Sequence, residues 1–135
     1  MAEAMTSRLL VIGGTGFIGH HLVHAGMIQG WQVTSLSLHS PVSSRHVQGA
    51  TYLCADMANK ESLQPALEKT AFEYVVNLGG YVDHTLFLQG GRAPIQAHFD
   101  GLLNLIEILD CQTLKRFVQI GSSDEYGNTP APQGE

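Results

Sequence analysis

Arg8-Leu9-Leu10-Val11-Ile12-Gly13-Gly14-Thr15-Gly16-Phe17-Ile18-Gly19 decides the fold. Four apolar residues follow Arg8 and stop at a glycine pair, which favours a short buried strand over a helix. From Phe17 the period changes. Ile18, Leu22 and Ala25 recur at helical spacing and predict a helix with one apolar stripe, weakened towards its end by Gly26 and Gly30. Glycines at a strand-to-helix junction have mechanical uses. One lets the chain turn tightly, one lets backbone N–H groups approach a pyrophosphate, and one lets the helix pack close to the strand. The helix N-terminus then faces the phosphates with unpaired N–H groups and a partial positive charge. The loop therefore reads as a dinucleotide site.

The rest of the chain repeats the alternation. Strands are expected over Trp31–Leu38, Ala50–Ala55, Phe72–Leu78 and Lys115–Ile120, and helices over Glu61–Lys69 and Pro94–Asp110. In the second of these helices Ile95, Phe99, Leu102, Ile106 and Leu109 form the predicted stripe. Leu103, Leu105 and Ile108 add apolar surface outside it, for a partner subunit or for sequence beyond this stretch to cover. Ser40-Pro41-Val42-Ser43-Ser44 and the segments 81–92 and 127–135 read as loop. This order implies an α/β fold, a doubly wound parallel sheet with five strands in order 3-2-1-4-5, and a ligand crevice outside the strand ends. No solenoid period or low-complexity segment interrupts it.

The chain has 135 residues, the size of one domain. Seven Lys and Arg against twelve Asp and Glu give a net charge of −5, which argues against nucleic-acid binding through phosphate neutralisation. No apolar run approaches a membrane span, and Met1 to Arg8 shows no signal-peptide pattern, so a cytoplasmic location is expected. Cys54 and Cys111 make no disulfide framework or zinc pattern and read as buried or neutral thiols. His20 and His24 lie four apart on one helix, but a zinc site needs three or four ligands, so they read as a solvated face and no metal is expected. Asp83-His84 and Asp124-Glu125 read as polar loop charges near the ligand edge.

The spacing Gly13-x-x-Gly16-x-x-Gly19 resembles that of the extended short-chain dehydrogenase/reductase family, and the resemblance runs from about Leu9 to Glu135. That family includes NAD(P)-dependent sugar-nucleotide epimerases, dehydratases and reductases. The resemblance implies that Gly13, Thr15, Gly16, Phe17, Ile18 and Gly19 line the cofactor. Ala55-Asp56-Met57 resembles the segment whose Asp contacts the adenine amino group. Asn77-Leu78-Gly79-Gly80 resembles the family's Asn/His-Leu-Ala-Ala, which lines the nicotinamide-side ribose. Ile120-Gly121-Ser122-Ser123-Asp124-Glu125-Tyr126-Gly127 resembles the segment with the catalytic Ser/Thr. Counting from the strand points to Ser123, and counting back from Tyr126-Gly127 points to Ser122. A nucleotide-sugar substrate in the complete enzyme and a homodimer through the helix 94–110 are likewise implied.

Three positions depart from the family pattern. His98 stands where Asn is common. At the end of the second strand Ser37 replaces the carboxylate that takes the ribose 2′-OH of NAD. No Asp or Glu occurs from residue 4 to 55. His39, Ser40 and Arg45 offer donors or positive charge, so NADP is favoured over NAD. Finally, Tyr52, Tyr74, Tyr81 and Tyr126 are followed four residues on by Asp56, Leu78, Thr85 and Pro130. None completes the family's catalytic Tyr-x-x-x-Lys, in which the Lys lowers the phenol's pKa. The expectation is a cofactor-binding portion, truncated before that pair and inactive alone. The alternatives are a non-enzymatic NAD(P)-binding or redox-sensing module and a degenerate, unstable product.

Overall fold

The computed structural model describes residues 5–79, 89, 91–122 and 130. Five parallel strands stand in the order β3-β2-β1-β4-β5. They are β1 (Arg8–Ile12), β2 (Gln32–Ser37), β3 (Thr51–Cys54), β4 (Tyr74–Asn77) and β5 (Arg116–Gln119). The helices are α1 (Phe17–Ile28), α2 (Lys60–Leu67), α3 (Arg92–Ile95) and α4 (Gly101–Ile108). A π-helical segment, Gln96–Asp100, joins α3 to α4, and a 3-10 turn, Ser43–Arg45, lies between β2 and β3. This is the expected doubly wound sheet.

Alternation along β1 explains its unbroken apolar run. Leu10 and Ile12 join the core on one face with Leu36, Leu63, Phe72, Val75 and Leu105. Leu9 and Val11 join the other with Val23, Val33 and Val47. A strand buried on both faces has no polar side to show. β1 pairs with β2 through Ile12↔Leu36 and with β4 through Ile12↔Asn77. The chain order reverses across β1, which opens a crevice at its C-terminal end.

Two helix faces differ from the sequence expectation. On α1 the buried residues are Gly19, Val23 and Gly26, one position on from the predicted stripe. Ile18 is 63% exposed. The cause is contact distance: a Cβ on Gly26 would stand 2.8 Å from Val33 Cγ2, so this helix sits too close to the sheet for larger residues there. In the second case Leu109 of the predicted stripe is buried and Leu102 half-buried, but Ile95, Phe99 and Ile106 are exposed, and Gly101 and Leu105 are buried instead. The π segment adds a residue to the turn, so the spacing of one regular helix does not hold across it. Pro94 falls in the first turn of α3 and so removes no helical hydrogen bond. Cys54 and Cys111 are both free and exposed, not buried.

At the N-terminal ends of the strands Glu73 is buried and fully occupied. Its Oε2 accepts from Arg8 N–H at 3.2 Å, and its Oε1 pairs with Lys115 Nζ at 2.5 Å. The hydrogen bond from Lys115, and after it that from Arg8 N–H, holds the Glu73 carboxyl below its ordinary value.

Candidate dinucleotide site

Each glycine of the loop has its own role. Gly13 has φ +80°, a conformation few L side chains adopt, and its N–H bonds Leu36 O at 2.8 Å. It makes the turn off β1. Gly19 carries the packing: a Cβ there would lie 2.1 Å from Gly13 O and 2.6 Å from Gly14 Cα. Around Gly16, apart from its chain neighbours, the only atom among the described residues within 4 Å of such a Cβ is Gly13 O, at 3.3 Å. Gly16 is also the N-cap of α1 and carries no side-chain cap, so the first N–H groups of the helix are left for a ligand. The turn at Gly13 and the close packing at Gly19 are two of the uses expected of the motif. Gly14 adds one that sequence reasoning missed. A Cβ there would stand 2.2 Å from Ser35 Oγ, a buried hydroxyl with no hydrogen-bond partner among the described residues.

Residues distant in sequence gather on the β2 side of this loop. Ser37 Oγ accepts from Thr15 N–H at 3.4 Å. Arg45, in the 3-10 turn, donates from Nη1 to Thr15 O at 3.4 Å. His20 Nδ1 meets Arg45 O at 2.9 Å. Thr15, Ser37, Arg45 and His20 are all half-buried. Among the described residues Arg45 has no carboxylate partner. His20 thus turns to a carbonyl rather than to His24. No group of three or more potential metal ligands occurs among the described residues. His39 is exposed just past β2, and Ser40 Oγ lies 3.5 Å from Cys54 Sγ.

The other named residues stand along the same edge. Asp56 is exposed after β3, and its Oδ1 accepts from Ala58 N–H at 2.9 Å, which fixes the turn. Met57 is half-buried beneath Gly79 and Gly101: a Cβ on Gly79 would be 3.3 Å from its sulfur, and one on Gly101 3.1 Å from its Cβ. Asn104 Nδ2 donates to Met57 O at 2.9 Å and ties α4 to this turn. Sequence reasoning passed over Asn104, although a lone amide among leucines was the available signal. Asn77 is buried, donates to Gln119 Oε1 at 2.8 Å and accepts from Gly79 N–H at 2.9 Å. It braces Leu78 and Gly79 against the loop: a Cβ on Gly13 would be 3.3 Å from Leu78 C. Phe17 and Ile18 are exposed at the start of α1, and Ser122 is exposed after β5. His98 is exposed in the π segment. Gly80, Asp83, His84, Ser123, Asp124, Glu125 and Tyr126 lie outside the described residues.

The donor set fits a nicotinamide dinucleotide. An open glycine and an uncapped helix end suit a pyrophosphate, and a guanidinium without a carboxylate partner among the described residues stands past the end of β2. No helix among the described residues is long and apolar enough to cross a membrane.

Comparison with known proteins agrees with this architecture. Over 136 aligned residues the chain is 25% identical to the bifunctional UDP-glucose 4-epimerase and UDP-xylose 4-epimerase 1 of Pisum sativum, covering 92% of this chain and 39% of that protein. It is 31% identical to the photosystem II assembly factor Ycf39 of Synechocystis sp., covering 91% of this chain and 36% of that one. The UDP-glucose 4-epimerase of Bifidobacterium longum, solved with NAD+ and UDP, superposes with a TM-score of 0.81 at 18% identity, over 96% of this chain and 41% of that one. The chain thus spans about two fifths of the length of these relatives. A profile of the NAD dependent epimerase/dehydratase family matches residues 9–135. With the glycine loop, the strand order and this match in agreement, the chain belongs to the NAD dependent epimerase/dehydratase family.

Proposed function

We propose that this chain is the cofactor-binding portion of an NAD(P)-dependent enzyme acting on a nucleotide-sugar, and that it takes NADP in preference to NAD. Gly13, Gly16, Gly19 and the N–H groups of Phe17 and Ile18 hold the pyrophosphate. Asp56 and Met57 receive the adenine, and Leu78, Gly79 and Gly80 flank the nicotinamide-side ribose. A bound nicotinamide supplies hydride chemistry. Ser122 or Ser123 orients the substrate oxygen. The family's NAD dependence and the epimerase relative support this class.

The observation that carries the cofactor preference is Arg45, half-buried, unpaired with any carboxylate among the described residues and held beside Ser37 across Thr15. A guanidinium there attracts a 2′-phosphate, and a missing acid removes what would repel it. Titration of the 135-residue chain with NADPH and NADH tests the reading. NADPH binds more tightly, and Arg45→Ala lowers its affinity on the order of tenfold while leaving NADH nearly unchanged. Tighter binding of NADH overturns the preference. With no Tyr-x-x-x-Lys in its 135 residues, the chain alone is expected to bind cofactor and not to turn over sugar nucleotides. Robust turnover contradicts that.

A non-catalytic reading has one observation behind it. The Synechocystis relative is named for assembly rather than for a reaction. Under that reading, replacing Ser122 and Ser123 affects neither cofactor binding nor any activity, and extending the chain adds none.

A further inference from the structure

We propose that His20 is a positioning residue for the 2′-phosphate, acting through Arg45. The inference rests on the cofactor preference just argued and names the residue that enforces it.

Arg45 lies in a short turn whose other side-chain tether is the His46 ring, 5.1 Å from that of Tyr52 between centroids. Two backbone bonds define the turn, Arg45 N–H to Val42 O at 2.9 Å and His46 N–H to Ser43 O at 3.4 Å. Val42, Ser43, Ser44 and His46 are exposed. Val47, on the same Tyr52, is buried and donates its N–H to Tyr52 Oη at 3.0 Å. Ahead of that anchor, the Arg45 carbonyl reaches His20 Nδ1 at 2.9 Å.

His20 is a firm post. Its N–H makes an i→i−4 bond to Gly16 O at 2.9 Å, in the first turn of α1. The acceptor is a carbonyl, which only accepts, so Nδ1 carries the hydrogen. The same bond forms whether the ring is neutral or protonated. The neighbouring histidines do not share this work. His21 sets its ring near those of Phe17 and His20, each 5.2 Å away between centroids, and His24 is exposed.

The result is a closed chain of contacts. Ser37 holds Thr15 N–H, Arg45 Nη1 holds Thr15 O, and His20 holds Arg45 O. A long side chain loses rotamer freedom when it binds a phosphate, and a backbone fixed in advance reduces that cost. Removing the His20 bond frees the turn and disperses the guanidinium. NADP loses a partner, whereas NAD, which has no 2′-phosphate, does not.

The test measures NADPH and NADH dissociation constants for the 135-residue chain and for His20→Ala, His20→Asn and Arg45→Ala, with melting temperatures alongside. His20→Ala is expected to weaken NADPH about fivefold and NADH less than about twofold. His20→Asn places an amide nitrogen at the Nδ1 position and restores NADPH binding to within about twofold of the parent. A merely structural role would weaken both cofactors alike, and that result overturns the inference. So does failure of the Asn variant to recover. If Arg45→Ala costs NADPH affinity and His20→Ala does not, the inference falls and the NADP preference stands. If the parent chain prefers NADH or binds neither cofactor, that preference falls and takes the inference with it.

Discussion

The two ends of the sheet use polar groups in opposite ways. At the N-terminal ends of the strands Glu73, Arg8 and Lys115 satisfy one another. At the C-terminal ends the first turn of α1 is uncapped, the Arg45 guanidinium lacks a carboxylate among the described residues, and Asp56 has one carboxylate oxygen unengaged there. Satisfied polar groups hold a fold together. Unsatisfied ones at a concave edge are where a charged ligand gains most. Under the proposed function, the first edge serves stability and the second serves binding. A substitution at one edge should leave the property of the other intact, except where one residue serves both.

Gly19 is that exception, so the largest effect is expected there. Gly19→Ala drives a methyl into Gly13 O and Gly14 Cα, backbone atoms of the loop itself. Neither can step aside without moving β1 or α1. Unfolding in urea should show a loss of about 3 kcal/mol, the upper range for overpacking. Dinucleotide binding should disappear with it. A variant as stable as the parent would show that the loop yields, and that Gly19 is not the contact between helix and strand.

Gly16→Ala should separate the two properties. Among the described residues beyond its chain neighbours its methyl meets only Gly13 O, at 3.3 Å, so the fold tolerates it at a cost below about 1 kcal/mol, typical of a changed N-cap. The same methyl occupies the space through which a pyrophosphate approaches. Binding of NADPH and NADH should fall together on the order of tenfold, unlike the selective loss expected of Arg45→Ala. If affinity holds, the open side of Gly16 is not the phosphate cradle.

These residues also show which parts of the structure the sequence could disclose. The strand order follows from the runs that stop at Gly13, Asp56, Gly79 and Gly121, because a doubly wound parallel sheet leaves few other ways to bury them. The faces of α1 were harder. Gly19 and Gly26 bury themselves without being apolar, so hydropathy shifted the stripe onto Ile18, Leu22 and Ala25. In the helix after β4 the pattern broke at the π segment 96–100, a change of pitch that no residue there announces. The loop glycines were legible because their roles are local. Arg45 was legible as a charge in an acid-free stretch. Its bond to His20 was not, because 25 residues separate them and only the fold brings them together.

The smallest effect belongs to the far edge, and it carries the sharpest prediction of sign. Glu73 has its carboxyl lowered from an ordinary value of 4.5, first by the hydrogen bond from Lys115 and then by that from Arg8 N–H. A lowered carboxylate contributes stability that is fully present above its unfolded value and lost as pH falls through the folded one. The loss therefore begins near pH 4.5 and continues below it. Lys115 is 59% exposed in its side chain, so salt screens the pair and the contribution is modest. Glu73→Gln should flatten this part of the acid limb. The remaining acid sensitivity belongs to carboxyls such as Asp110, held low by Thr113 and the Gln112 N–H. Melting temperatures of parent and variant between pH 3 and pH 7 measure the difference, and it should shrink in high salt. NADPH affinity at neutral pH should not change, because Glu73 faces away from the crevice along the whole length of β4. A variant that loses cofactor as well as acid-limb stability would mean that the two edges are coupled through the sheet, and the division of labour between them would have to be abandoned.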